Sequence, residues 1–169
     1  AALLCAGRVR RGVENSVRIG MPGSGKGTIA ALLAERLHRP VLDGDAKVVG
    51  TAGMSSPDIF AAGGEDAFRA RETAALAELG KRSGAVLATG GGSICREENY
   101  PLLHQNGTIF WLQRDLALLP KDGRPISQRS DLAALYAQRA PLYARFADAV
   151  LDNNGTPEEP VRKILEVLA

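Results

Sequence analysis

GMPGSGKGT, residues Gly20–Thr28, decides the fold. It follows a short apolar run, SVRIG (16–20), and precedes a segment whose apolar residues Ile29, Leu32, Leu33 and Leu37 recur at helical spacing. A glycine-rich turn between a strand and an amphipathic helix is the setting that separates a phosphate loop from a chance match. Glycines permit the tight turn, successive backbone N–H groups face phosphate oxygens, and the amino end of the helix adds partial positive charge. Pro22, Gly23, Ser24, Gly25, Lys26, Gly27 and Thr28 are therefore expected to hold a nucleotide, with Lys26 supplying charge for the β and γ phosphates.

Gly27 departs from the common loop, which carries there a serine or threonine whose hydroxyl coordinates Mg²⁺. The ion is then expected to rest on nucleotide oxygens, waters and a carboxylate, an arrangement Mg²⁺ accepts because it keeps several waters. Adenylate kinases have the same Lys-Gly-Thr version. Downstream, VLDGDA (41–46) sets Asp43 and Asp45 at the carboxyl end of a second apolar run, the edge where open α/β sheets hold ligands. Asp43 is the candidate for Mg²⁺, and Asp45 for orienting an acceptor hydroxyl and taking its proton. An Asp-Gly-Asp turn without chemistry is the alternative.

Further apolar runs stand at 85–90 (AVLATG), 108–112 (TIFWL) and 149–152 (AVLD), separated by helical patterns. Such brief, Val/Ile/Leu-rich runs read as buried parallel strands. The alternation predicts a three-layer α/β/α domain of the P-loop kinase type, with a five-stranded parallel sheet. The apolar pattern around Leu132, Leu135 and Leu142 is interrupted by Pro141, and the stretch 113–131, rich in proline and charge, suits a mobile lid. Residues 1–15 read as an N-terminal remnant or linker, leaving 16–169 as the domain.

Composition excludes several classes. The 169 residues carry a net charge of +2, are 45% hydrophobic and 24% charged, and have a mean hydropathy of −0.08, values of an ordinary soluble domain. Nothing calls for a nucleic-acid or membrane partner, and no apolar run approaches the ~20 residues of a spanning helix. Cys5 and Cys95 form neither a metal spacing nor a disulfide framework, which favours a reducing compartment, the cytoplasm.

Four later motifs narrow the reading: GMSSPDIFAAGGEDAFRARE (53–72), GGG (90–92), GRP (123–125) and QRAPLYARFAD (138–148). In order and spacing, from about Val17 to the carboxyl end, they resemble the shikimate kinases, which transfer the γ-phosphate of ATP to the 3-hydroxyl of shikimate in aromatic amino-acid (chorismate) biosynthesis. The resemblance implies that Asp45, Arg69, Gly90, Gly91, Gly92 and Arg139 hold shikimate, that Arg124 is a lid arginine closing on ATP phosphates, and that Pro157 borders the adenine. It also implies ATP and Mg²⁺ as cofactors, and a monomer or one part of a multi-enzyme chain. The chemistry agrees: a ring acid needs a guanidinium fork for its carboxylate, Glu72 lies one helical turn from Arg69, and glycines let a ring approach the backbone. Catalysis would then rest on Lys26, Asp45 and Arg124. Departures are Gly27, the absence of an arginine in LALLPKDG (116–123), Ala46-Lys47 after the second aspartate, and Gly155 where a basic residue is common. An adenylate- or gluconate-type kinase, or a catalytically weak nucleotide-binding domain, are the competing readings.

Overall fold

The computed structural model describes residues 14–119 and 126–169. Its strands β1 (Asn15–Ile19), β2 (Val41–Asp43), β3 (Val86–Ala88), β4 (Gly107–Gln113) and β5 (Ala149–Asp152) match the five apolar runs, and they form one parallel sheet in the order β2-β3-β1-β4-β5. The helices are α1 (Lys26–Leu37), α2 (Gly44–Ala52), α3 (Ser56–Leu79), α4 (Asn99–His104), α5 (Ile126–Phe146) and α6 (Glu158–Leu168).

Alternation along the central strand divides the core. Val17 and Ile19 of β1 pack with Leu87, Ile109 and Trp111 against Leu76 of α3 and Tyr143 and Phe146 of α5. On the other face Val86, Ala88, Phe110 and Leu112 meet Ile29 and Leu33 of α1 and Val161 and Ile164 of α6. The sheet is thus sandwiched between helical layers, and it reads as near-continuous apolar runs because both faces are covered. Val17 registers with Leu87 on one side and Ile109 on the other. The chain leaves β1 toward β2 and later crosses to β4, so the order reverses at β1, and the crevice beyond the carboxyl ends there is where such sheets take ligands.

A smaller cluster, Val48 with Ile59, Phe68 and Ala75, fastens α2 to α3. The α3 helix bends at Gly64, whose φ of 76° is left-handed, a conformation glycine adopts without the Cβ penalty. Phe60 and Phe68 stack across this bend with ring centroids 4.5 Å apart.

One expectation changes. Pro141 does not end a helix: α5 runs through it, since Leu142, Tyr143 and Phe146 beyond it pack onto the sheet, and that tertiary burial outweighs the one backbone bond a proline removes. Of the stretch 113–131 expected to form a lid, residues 120–125 lie outside the described residues. Gln113 ends β4, Leu116–Leu118 make a short 3-10 turn, Leu119 is buried in the core, and α5 begins at Ile126. Among the described residues no helix is long and apolar enough to cross a membrane.

Candidate active site

The phosphate loop occupies the turn from β1 into α1. Gly25 caps α1 with φ 97°, and Lys26 is the first helical residue, its Nζ donating to the carbonyls of Gly20 and Met21 at 2.9 Å each. Burial lowers the Lys26 pKa to about 8; Asp45 and Asp43 oppose that shift, and Arg139 adds to it. Ser24 is buried and lies beneath the loop, with its carbonyl accepting from Asn153 Nδ2 at 2.7 Å. Gly27 and Thr28 are exposed on the first turn of α1, and a side chain added at Gly27 would meet no atom within 4 Å.

Asp43 is the last residue of β2 and the cap of α2, where its Oδ1 accepts from Ala46 N at 3.1 Å. The turn that competed with a functional reading is therefore a helix start, and Asp45 sits in its first turn. The walls of the crevice strip water from the Asp45 carboxyl and raise its pKa; Asp43 raises it further, while Lys26 and Arg69 pull it down. Two carboxylates beside a phosphate loop supply the hard oxygen donors suited to Mg²⁺, with phosphates and waters completing the shell. Among the described residues no group of three His, Cys, Asp or Glu side chains could hold a metal alone.

Arg69 and Glu72 form a buried pair on α3, Nη1 to Oε1 at 3.0 Å. Burial works against the Arg69 charge, but Glu72, by charge and hydrogen bond, more than offsets it, and the Arg69 pKa stands above its usual value. On Glu72 burial prevails and raises the pKa despite Arg69, with Asp45 adding to the rise. The Gly90–Gly92 turn after β3 lies directly beneath these groups. A Cβ at Gly90 would stand 2.5 Å from Asp45 Oδ1 and 3.0 Å from Glu72 Oε2. One at Gly91 would press on the Pro22 ring at 2.8–2.9 Å, and one at Gly92 would strike the Arg69 guanidinium. These neighbours give each of the three glycines a further reason to lack a side chain, beside the approach of a ring that the sequence suggests.

Arg139 comes from α5 and faces Arg69 across a cavity of about 520 Å³, lined also by Phe60, Glu65, Leu135 and Leu142. Tyr143, one turn later, donates to the Gly91 carbonyl at 2.6 Å, and burial pushes its pKa up to about 12 against the pull of Arg139. Lys26, Asp43, Asp45, Arg69 and Arg139, drawn from five separate elements, thus converge on one crevice. Pro157 lies exposed at the start of α6, near but not lining a second cavity of about 280 Å³ that includes Gln113, Arg114, Tyr136 and Asn154. Arg124 lies outside the described residues. Sequence reasoning missed Tyr143 and Asn153, whose partners are far away in the chain and carry no local signal.

These features have relatives. A family model described as shikimate kinase matches residues 22–169. A shikimate kinase of Cupriavidus pinatubonensis is 41% identical over 150 residues, covering 83% of this chain and 78% of that protein. One from Ruegeria pomeroyi is 38% identical over 163 residues, 90% of this chain and 84% of that protein. Among solved structures, a shikimate kinase from Acinetobacter baumannii in complex with shikimate aligns with a TM-score of 0.87 at 33% identity, covering 94% of both chains. On a match of that length in sequence and in backbone, the chain belongs to the shikimate kinase family.

Proposed function

We propose that the chain transfers the γ-phosphoryl group of ATP to the 3-hydroxyl of shikimate, through the residues gathered at this crevice. The observation that carries the reading is the cavity framed by Arg69 and Arg139, with Asp45 in electrostatic reach of Arg69 and of Lys26. Two guanidinium groups suit a carboxylate, whose paired oxygens accept forked N–H bonds. Glu72 holds Arg69 in place for that contact.

Asp45 receives the proton of the acceptor hydroxyl as the oxygen attacks phosphorus. Its raised pKa makes it a better base than an ordinary carboxylate, and the charges of Lys26 and Arg69 act against that rise. Lys26 exchanges its two carbonyl partners for phosphate oxygens, and the N–H groups of the loop take the remainder. Asp43 would hold Mg²⁺ together with the oxygens of the nucleotide; when bound, the ion would neutralise charge on the phosphates. Arg124 completes the site as a lid arginine, stabilising the charge that spreads over the phosphoryl oxygens and excluding water, and Pro157 borders the base. The enzyme acts in the cytoplasm, as a monomer, on small molecules alone.

A coupled ADP-release assay with shikimate, gluconate and AMP offered separately tests the substrate. Release that depends on shikimate supports the reading; dependence on gluconate or AMP replaces it with another small-molecule kinase. In the same assay Asp45→Asn is expected to lower kcat about 10²-fold or more while ADP affinity changes little. Undiminished turnover in that variant would remove Asp45 as the base.

A further inference from the structure

We infer that Asn153 is a positioning residue for phosphoryl transfer, one that orients the peptide between Ser24 and Gly25 so that the loop presents its N–H groups to phosphate. Asn153 follows β5 directly and is 3% exposed. Its backbone N–H is pinned to the end of β4 by a 2.7 Å bond to the Gln113 carbonyl, and its Nδ2 donates to the Ser24 carbonyl at 2.7 Å. A trans peptide points its C=O and N–H in opposite directions. Drawing the Ser24 oxygen toward Asn153 therefore turns the Gly25 N–H away from Asn153, the sense a phosphate cradle requires.

The contact is tight from both sides. A Cβ on Gly25 would run into the Asn153 amide, so glycine is needed there for room as well as for its positive φ. The platform beneath Asn153 is braced by its neighbour. Asn154 Oδ1 accepts from Asp115 N at 2.7 Å, and its own N–H and Nδ2 reach the Asp152 carboxylate at 2.8 and 3.2 Å. The loops after β4 and β5 are thereby tied together, and Asn153 stands between that tie and the phosphate loop. Losing its donor would leave the Ser24 carbonyl buried without a partner and the peptide free to rotate.

The inference rests on the nucleotide reading above, and its test separates the two. ADP and shikimate affinities are measured by calorimetry for the wild type, Asn153→Leu and Asn153→Asp. Asn153→Leu keeps size without a donor and is expected to bind ADP about tenfold more weakly or worse, with shikimate affinity within about twofold of wild type. Asn153→Asp should be weak at pH 8 and approach wild type as pH falls toward 5, because the protonated carboxyl regains a donor; the Asn153→Leu deficit should not move with pH. A merely structural role would lower shikimate affinity together with ADP affinity. Wild-type ADP affinity in folded Asn153→Leu would overturn the inference. Should that variant not fold, exchange of the Asn153 side-chain amide protons in the wild type decides: slow exchange supports the bond, and exchange at the rate of a free amide refutes it. A wild type that binds shikimate but no ADP would instead overturn the nucleotide reading, and the inference with it.

Discussion

Lys26 carries a pH dependence that follows from its position. Burial has brought its pKa to about 8, against the nearby Asp45 and Asp43 and with the help of Arg139. An anionic nucleotide seated beside the ammonium raises that pKa again. Below about pH 8 the lysine is charged before and after binding; above it, binding must take up a proton, so ADP affinity is expected to fall as pH rises through 8 to 9.5. Calorimetry at pH 8.5 in buffers of different ionisation enthalpy should detect the uptake, and a flat affinity across that range would contradict it. At the next residue, Gly27→Ser should fit without displacement, since the space around a Cβ there is open. The added hydroxyl is expected to raise the contribution of Mg²⁺ to ADP binding severalfold, and to stabilise α1 by about 0.5 kcal/mol through helix propensity alone. ADP titrations with and without Mg²⁺ check the first effect, thermal melts the second, and an unchanged metal dependence would count against coordination at this position.

The Gly90–Gly92 turn touches both the phosphate loop and the Arg69 side chain. Because Gly91 abuts the Pro22 ring and Gly92 the Arg69 guanidinium, the two positions are expected to fail differently. Gly91→Ala should weaken ADP binding more than shikimate binding, and Gly92→Ala the reverse, each by about tenfold given a displacement costing roughly 1–3 kcal/mol. Equal losses on both ligands in both variants would show a general collapse of the turn instead. These side-chain neighbours were not legible in the sequence, where three glycines read only as letting a ring approach the backbone. The five strands and α1 were legible, because each is announced by a local pattern: SVRIG before the glycines, or Ile29 and Leu33 at helical spacing. Pro141 misled for the opposite reason. Its local penalty is real, but the burial of Tyr143 and Phe146 against β4 and β1 decides the helix, and a linear pattern does not display that burial. Asp43 shows a third case, since the residue read as a metal ligand also caps α2.

A buried charge in the sheet carries a cost for the whole molecule. Arg18, in the middle of β1, is fully buried on the face it shares with its register partners Ala88 and Phe110. Its guanidinium bonds only Ser16 Oγ among the described residues, leaving Nε and Nη1 without partners. Burial lowers its pKa to about 9, so the folded state holds the charge at a cost below that pH, and the cost eases as pH rises above it. Arg18→Met is accordingly expected to stabilise the fold at pH 7 by roughly 1–4 kcal/mol, as read from urea unfolding; a destabilised variant would show that the charge has an unseen partner.

The strand order has a consequence for biosynthesis. β1 pairs with β3 and β4 but not with β2, so the segment at Asn15 meets its first neighbour only when Val86 has left the ribosome. At ~5–20 residues per second that delay is about 4 to 14 s, during which Val17 and Ile19 have no sheet to join. A pause in translation shortly before residue 86 would lengthen that interval.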